Sequence, residues 1–225
     1  MAGVSDGAVP APVFFLSYGH AHARAQRRTL QNVNSPVVRL FEDLSFHVGE
    51  LMGSAAGEYP GYLDQAMDPG VRWRTEVLRA AGTCQVFVPL LSPRYLDSPW
   101  CAMEFDAFSR RKVNRKPTRR PTDAIGEGTA ILPVLWMPMD SEQLPLVLSE
   151  LQYFMPYPLP DEDIVQRYSE EGVHGLLALH DEEAYQAVVW RLARRIVQVS
   201  RNHQVESQVF TDTDGLRKSF RGDGE

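Results

Sequence analysis

Short uninterrupted apolar runs alternate along this chain with segments whose apolar residues recur every three or four positions. "PVFFLSY" (12–18) is a continuous apolar run closed by Gly19-His20, the pattern of a strand buried on both faces. In "SPVVRLFEDLSFHVGELMG", Ser35 stands as N-cap and Pro36 at the first helical position, and Val37, Leu40, Phe41, Leu44, Val48 and Leu51 recur at helical spacing before Gly53. That spacing predicts an amphipathic helix of about four turns. "EYPGYLDQAMDPGVRW" (58–73) is broken by Pro60 and Pro69-Gly70, so a brief strand ending near Asp64 and an exposed loop are expected. A helix follows over "RTEVLRAAGT", with Trp73, Val77 and Ala81 on one stripe, and "CQVFVPLLS" (84–92) is the second buried strand.

Ser98 as N-cap and Pro99 at the first helical position start a helix near Trp100 that should run to about Lys112. Residues 113–129 lack periodicity and read as a surface loop, and "AILPVLWMP" (130–138) is a third apolar strand. The proline-rich stretch 140–172 predicts short helical turns and extended coil. "DEEAYQAVVWRLARRIVQVS" (181–200) is the clearest helix, capped by Asp181, with Tyr185, Val188, Val189, Leu192, Ile196 and Val199 inward and Arg191, Arg194 and Arg195 outward. The expected organisation is a flexible leader (1–11), one domain (12–200) and a polar, mobile tail (201–225). Buried strands alternating with amphipathic helices argue for an α/β fold, a parallel sheet with helices on both faces. In such sheets ligands bind at the carboxyl ends of the strands, which is where the helix carrying Glu104 begins.

Composition narrows the function. No apolar run approaches the roughly 18 residues of a membrane span, and "MAGVSDGAVPAP" lacks the basic start and apolar centre of a signal peptide, so a cytoplasmic protein with no membrane partner is expected. Cys84 and Cys101 sit in apolar elements and read as buried thiols. The net charge of −6 is uneven, because "RRKVNRKPTRR" (110–120) holds seven cations, leaving about −13 elsewhere. That run starts at the end of the Glu104 helix away from the expected site, and it reads as a solvated loop or a contact for an acidic partner rather than for nucleic acid. Dinucleotide, phosphate-loop, zinc-protease and hydrolase-elbow motifs are absent. His20, His22 and His180 have no spaced further ligand, so no metal and no cofactor is expected.

On a helix, Trp100, Glu104 and Phe108 share one line, and Cys101, Phe105 and Phe108 form the adjacent core stripe. Glu104 therefore borders the core, either as a paired or solvated boundary carboxylate or as a functional one. The order "VFFLSY", "GYLDQAMDPGVRW" and "VFVPLLSPRYLDSPWCAMEF", with Ser92, Tyr95, Ser98, Trp100, Cys101 and Glu104 in its last motif, resembles the Toll/interleukin-1 receptor (TIR) domain family. Its proline-rich segment and its ending resemble TIR-like proteins of the actinobacterial FxsC type, associated with FxSxx-COOH peptide systems.

The resemblance implies a flavodoxin-like sheet and one of two functions: cleavage of NAD+ at the nicotinamide–ribose bond, with NAD+ as substrate rather than cofactor, or assembly with itself or other TIR-like proteins in signalling. It implies Glu104 as the catalytic carboxylate beside the ribose, kept ionised partly by its place near a helix N-terminus. Trp100 would stack on a base ring or serve as a helix-start edge aromatic. Phe15, Ser17 and Tyr18 would form the pocket edge, although packing alone explains Phe15. Asp64 and the following loop would be a mobile cover, with Gly70 supplying flexibility and Arg72 meeting a phosphate or standing solvated in a turn. The first loop, "GHAHARAQRRTLQNVNSP", is longer and more basic than the short acidic turn of many TIR domains. An open crevice lined by Phe15, Trp100 and Glu104 would favour the enzyme, and one plugged by Tyr153 or Phe154 the interaction module.

Overall fold

Continuous apolar strands need cover on both faces, and the computed structural model supplies it with helices. It describes residues 11–20, 30–54, 59–64, 71–117, 129–140, 144–157 and 162–221, the side chains of 30–35 and 71–72 excepted. Strands β1 (Phe14–Tyr18), β2 (Gly61–Leu63), β3 (Val86–Leu91) and β5 (Val134–Leu135) form one sheet in the order β2-β1-β3-β5. Every pairing in it is parallel, with Phe14 beside Gly61 on one side and Val86 on the other. This is the expected α/β, flavodoxin-like arrangement.

Side-chain alternation along β1 divides the core. Phe14 meets Phe41 of helix α1 (Leu30–Met52), ring centroids 5.9 Å apart. On the opposite face, Phe15 sits edge-on to Phe87, 5.4 Å away, and Phe87 stacks on Phe108 of α4 (Pro99–Ser109) at 5.3 Å. Helix α7 (Glu182–Asn202) packs with α1, and α2 (Val71–Thr83) with α4. The chain leaves β1 through Gly19, where a Cβ would come within 2.6 Å of the Arg94 backbone in the short helix α3 (Pro93–Leu96). No helix among the described residues is long and apolar enough to cross a membrane.

Four expectations are corrected. Helix α1 starts at Leu30, so Ser35 and Pro36 lie within it; Pro36 has no N–H for the carbonyl four residues earlier, and the helix continues across that missing bond. Helix α4 ends at Ser109 rather than near Lys112, and β5 is only two residues long because Pro133 has no N–H for the ladder; an isolated bridge pairs Ile131 with Phe87. The stretch expected as turns and coil contains most of α6 (Glu162–Ala178), kinked at Gly172 with φ 63°. Each half has its own buried set, Ile164, Val165 and Tyr168 before the kink and Val173 and Leu176 after it, so no single period spans the helix. The Tyr168 hydroxyl accepts a hydrogen bond from the Leu135 amide at 3.0 Å, which satisfies the outer edge of β5.

The polar tail is folded as well. After α7, β6 (His203–Val205) pairs antiparallel with β4 (Val113–Arg115), inside the segment expected to be loop. The chain then runs along α4: the Gln208 amide donates to Gly82 O at 2.9 Å, the Arg217 amide to Asp106 Oδ2 at 2.9 Å, and Leu216 and Phe220 are buried. Phe220 lies 5.3 Å from Tyr95 and 5.6 Å from Phe105. Isolated anchors spaced several residues apart carry no periodic signal, which is why this segment reads as mobile in sequence. The basic run is likewise part seam: Arg110 pairs with Asp106 at 2.6 Å and Arg111 is buried. Its residues 118–120, like the leader residues 1–10, lie outside the described residues.

Candidate functional site

Strand β1 and helix α4 meet where the strands end. Ser98 caps α4 in extended geometry, its hydroxyl accepting from the Cys101 amide at 3.3 Å, and Pro99 supplies the first helical φ. That start sets the rotation of α4, so Cys101 and Phe105 enter the core and Glu104 points at β1. Across 87 positions of sequence, the Ser17 hydroxyl donates to Glu104 Oε2. Both residues are buried, Glu104 at 3% exposure.

Burial decides the charge. Desolvation pushes the Glu104 carboxyl from its ordinary 4.5 up to about 8; the Ser17 hydrogen bond acts downward and the nearby Asp64 carboxylate upward. The expectation that α4's N-terminus keeps it ionised is corrected here. Glu104 is the sixth residue of the helix, beyond the first turn where the dipole acts, and the desolvation it meets is larger. At neutral pH the group is mainly a carboxylic acid.

Asp64 directly follows β2 and is itself 3% exposed. Trp73 Nε1–H donates to its Oδ1, and His20 Nε2 lies 3.0 Å from its Oδ2. His20 stacks on Tyr18 with centroids 4.4 Å apart, and Trp73 lies beside Trp100 at 4.9 Å and 37°. Two carboxyl groups of different environment thus share the carboxyl edge of the sheet, next to a tryptophan pair. Trp100 is half-buried, and its Nε1 has no hydrogen-bond partner among the described residues.

The remaining candidates divide. Tyr18 is buried, its hydroxyl pushed well up by burial and by Asp64, and its carbonyl accepts from Cys101 Sγ at 3.3 Å. Burial likewise raises the Cys101 thiol, which is therefore neutral and unreactive. Phe15 is fully buried between Tyr62 at 5.2 Å and Phe87 at 5.4 Å, so it packs the core beneath the site. Gly70 and the Arg72 side chain lie outside the described residues. Phe154 packs on Tyr168, centroids 6.2 Å apart, against β5 and α6. Among the described residues no group of three or more His, Cys, Asp or Glu side chains could hold a metal.

The sequence pattern places Trp73 on a helix stripe and His20 just after the first strand, and neither position marks it as a partner of Asp64. The closeness of Trp73 in sequence to the Asp-Pro-Gly stretch is the only local hint, and the contact to Asp64 exists only once β2 and α2 are packed. Comparison with protein-family models matches residues 50–157 to the TIR domain. No curated protein and no solved structure matches the chain. The matched span holds Asp64, Trp73, Trp100 and Glu104, whereas β1 with Ser17 precedes it.

Proposed function

We propose, from the match of residues 50–157 to the TIR domain, that the protein is a signalling and interaction module with a latent NAD+ nucleosidase site at Glu104. The observation that carries this reading is a buried carboxyl at the sheet's carboxyl edge, poised near pH 8 and hydrogen-bonded by Ser17. Nicotinamide in NAD+ is a cationic pyridinium. When the C1′–N bond breaks, the electron pair goes to the ring nitrogen and nicotinamide departs neutral, with no proton required. Water then adds at C1′ and releases its proton to solvent, giving ADP-ribose. This differs from ordinary glycoside hydrolysis, which needs an acid for the leaving oxygen.

A pyridinium brought beside Glu104 favours the ionised carboxylate, as any close cation does, and the carboxylate then opposes the positive charge that develops on the ribose. Ser17 orients the group, Trp100 offers a stacking face, and Asp64 holds Trp73 and His20 around it. Because Glu104 is 3% exposed, turnover requires its surroundings to open, and self-association or a partner TIR-like protein supplies that shift. We assign the chain to the FxsC-type branch on its proline-rich segment and its closing helix.

Nicotinamide release from NAD+ by concentrated full-length protein, beside Glu104→Gln, tests the reading. Release by wild type, reduced about 100-fold or more in the variant, with kcat/KM rising toward pH 8 as Glu104 ionises, is expected. Equal rates in both proteins, or none from the assembled wild type at pH 7 and pH 9, would refute it. The second outcome favours a non-catalytic interaction module, a reading that the deep burial of Glu104 and its bond to Ser17 also suit.

A further inference from the structure

Helix α3 brings a second hydroxyl to the Ser17–Glu104 pair. Ser92 Oγ accepts from the Tyr95 amide at 3.2 Å, and this turn lies so close to β1 that a Cβ on Gly19 would meet the Tyr95 nitrogen at 2.7 Å. Tyr95 is fully buried, its ring 5.3 Å from Phe220. Its hydroxyl is buried too and has no hydrogen-bond partner among the described residues. Burial pushes that hydroxyl well above the ordinary tyrosine range; Cys101 and Glu104 act in the same direction, and Ser17, as a hydrogen-bonding neighbour, acts in the other. Ser17, Tyr95, Cys101 and Glu104 thus form one buried cluster.

An unsatisfied buried hydroxyl is costly, and phenylalanine would pack against Phe220 without it. Its use lies in the ionised state of the site. The titratable groups that interact with Glu104 from the elements around it are Tyr18 of β1, Tyr62 of β2, Asp64 after β2 and Cys101 of α4, besides Tyr95. All of these are acids, and His20 pairs with Asp64, so none of them offers a positive charge to a Glu104 carboxylate. Neutral donors must hold it. Ser17 gives its single proton to Glu104 Oε2, which leaves lone pairs on its own oxygen. The Cys101 thiol is directed to Tyr18 O at 3.3 Å, so the unspent donor in the cluster is Tyr95, which keeps its proton through the range in which Glu104 titrates.

We propose that Tyr95 is a positioning residue for Glu104: when the carboxyl ionises, the Tyr95 hydroxyl donates to Ser17 Oγ, and the chain Tyr95–Ser17–Glu104 holds the carboxylate in place. Each donor in such a chain polarises the next, so the two bonds together stabilise the negative charge more than Ser17 alone does. A neutral carboxylic acid gains little from the second bond, which suits a hydroxyl that stands unpartnered while Glu104 is protonated. The consequence for NAD+ cleavage rests on the function proposed above for Glu104; the chain itself does not.

Carboxyl-carbon NMR of the full-length protein, with the Glu104 resonance identified by its loss in Glu104→Gln, tests the chain without NAD+. Tyr95→Phe keeps the ring against Phe220 and is confirmed folded by circular dichroism. It should raise the Glu104 midpoint by about half a pH unit or more. In a Ser17→Ala background the same substitution should shift it much less, because the chain passes through the Ser17 oxygen. At pH 5, where Glu104 is protonated in the folded protein, its urea midpoint should match wild type. An unmoved or lowered titration, an equal shift with and without Ser17, or a lower urea midpoint at pH 5 would each overturn the proposal, the second by showing that Tyr95 acts only through local polarity and the third by showing that its hydroxyl already serves the neutral state. Nicotinamide release is a separate readout: its absence would refute the proposed activity, whereas the titration decides the chain.

Discussion

Glu104 makes stability fall with rising pH over a defined window. Its carboxyl titrates near 4.5 in the unfolded chain and at about 8 in the folded one. Below the lower value both states hold the proton and the group contributes no pH dependence. Between the two values the unfolded chain is ionised while the folded chain is not, so the folded state binds more protons and loses about 1.4 kcal/mol of stability per pH unit. Above about 8 both forms ionise and the loss levels off. From pH 5 to pH 8 the group alone removes roughly 3–4 kcal/mol, an order-of-magnitude figure from the shift and the linkage relation. Glu104→Gln keeps the shape and an acceptor for Ser17 but cannot ionise.

Urea unfolding of both proteins at half-unit pH steps isolates the effect, because all other titrations cancel in the difference. The variant should match wild type within about 1 kcal/mol at pH 5 and exceed it by several kcal/mol at pH 8. A difference that stays flat across that range would refute the inference that burial keeps this carboxyl neutral, and with it the account of a site that ionises only when a cation arrives.

Further consequences are measurable. Ser17→Ala removes the hydrogen bond that acts downward on Glu104, so carboxyl-carbon NMR should show its titration moving above about 8; an unchanged or lower midpoint contradicts the geometry. Trp73→Phe leaves Asp64 Oδ1 without its indole donor, and urea unfolding should register a loss of about 1–3 kcal/mol. Gly82→Ala would bring a Cβ within 2.2 Å of Gln208 O; limited proteolysis should then cut 206–221 faster than in wild type, and equal protection would show that the tail does not rest on Gly82.

Much of the scaffold is legible locally. The uninterrupted runs at Phe14–Tyr18 and Val86–Leu91 mark strands buried on both faces, because only such strands need no polar alternation. Ser98-Pro99 and Asp181 mark helix starts because a capping hydroxyl or carboxylate satisfies amides a few positions away, a relation contained within one turn. Those starts also set which side of α4 carries Glu104. The fold class and the edge on which Glu104 lies were therefore written in short stretches of chain.

Its chemical state was not. Whether Glu104 is an acid or a carboxylate depends on how much water the packed sheet, α4 and Asp64 leave around it, and desolvation is a sum over neighbours distant in sequence. The kinked α6 and the folded tail escaped for the same reason, since Gly172 splits one pattern into two and Phe220 finds its partners, Tyr95 and Phe105, only across the domain. Arg111 makes the contrast plain. Its sequence neighbours mark it as one cation in a solvated run, whereas tertiary packing buries it against Ala81, Cys84 and Glu206 and leaves one donor unused. Periodicity and capping act within a few residues and can be read along the chain; burial and charge compensation depend on what surrounds a group, and only the folded structure decides that.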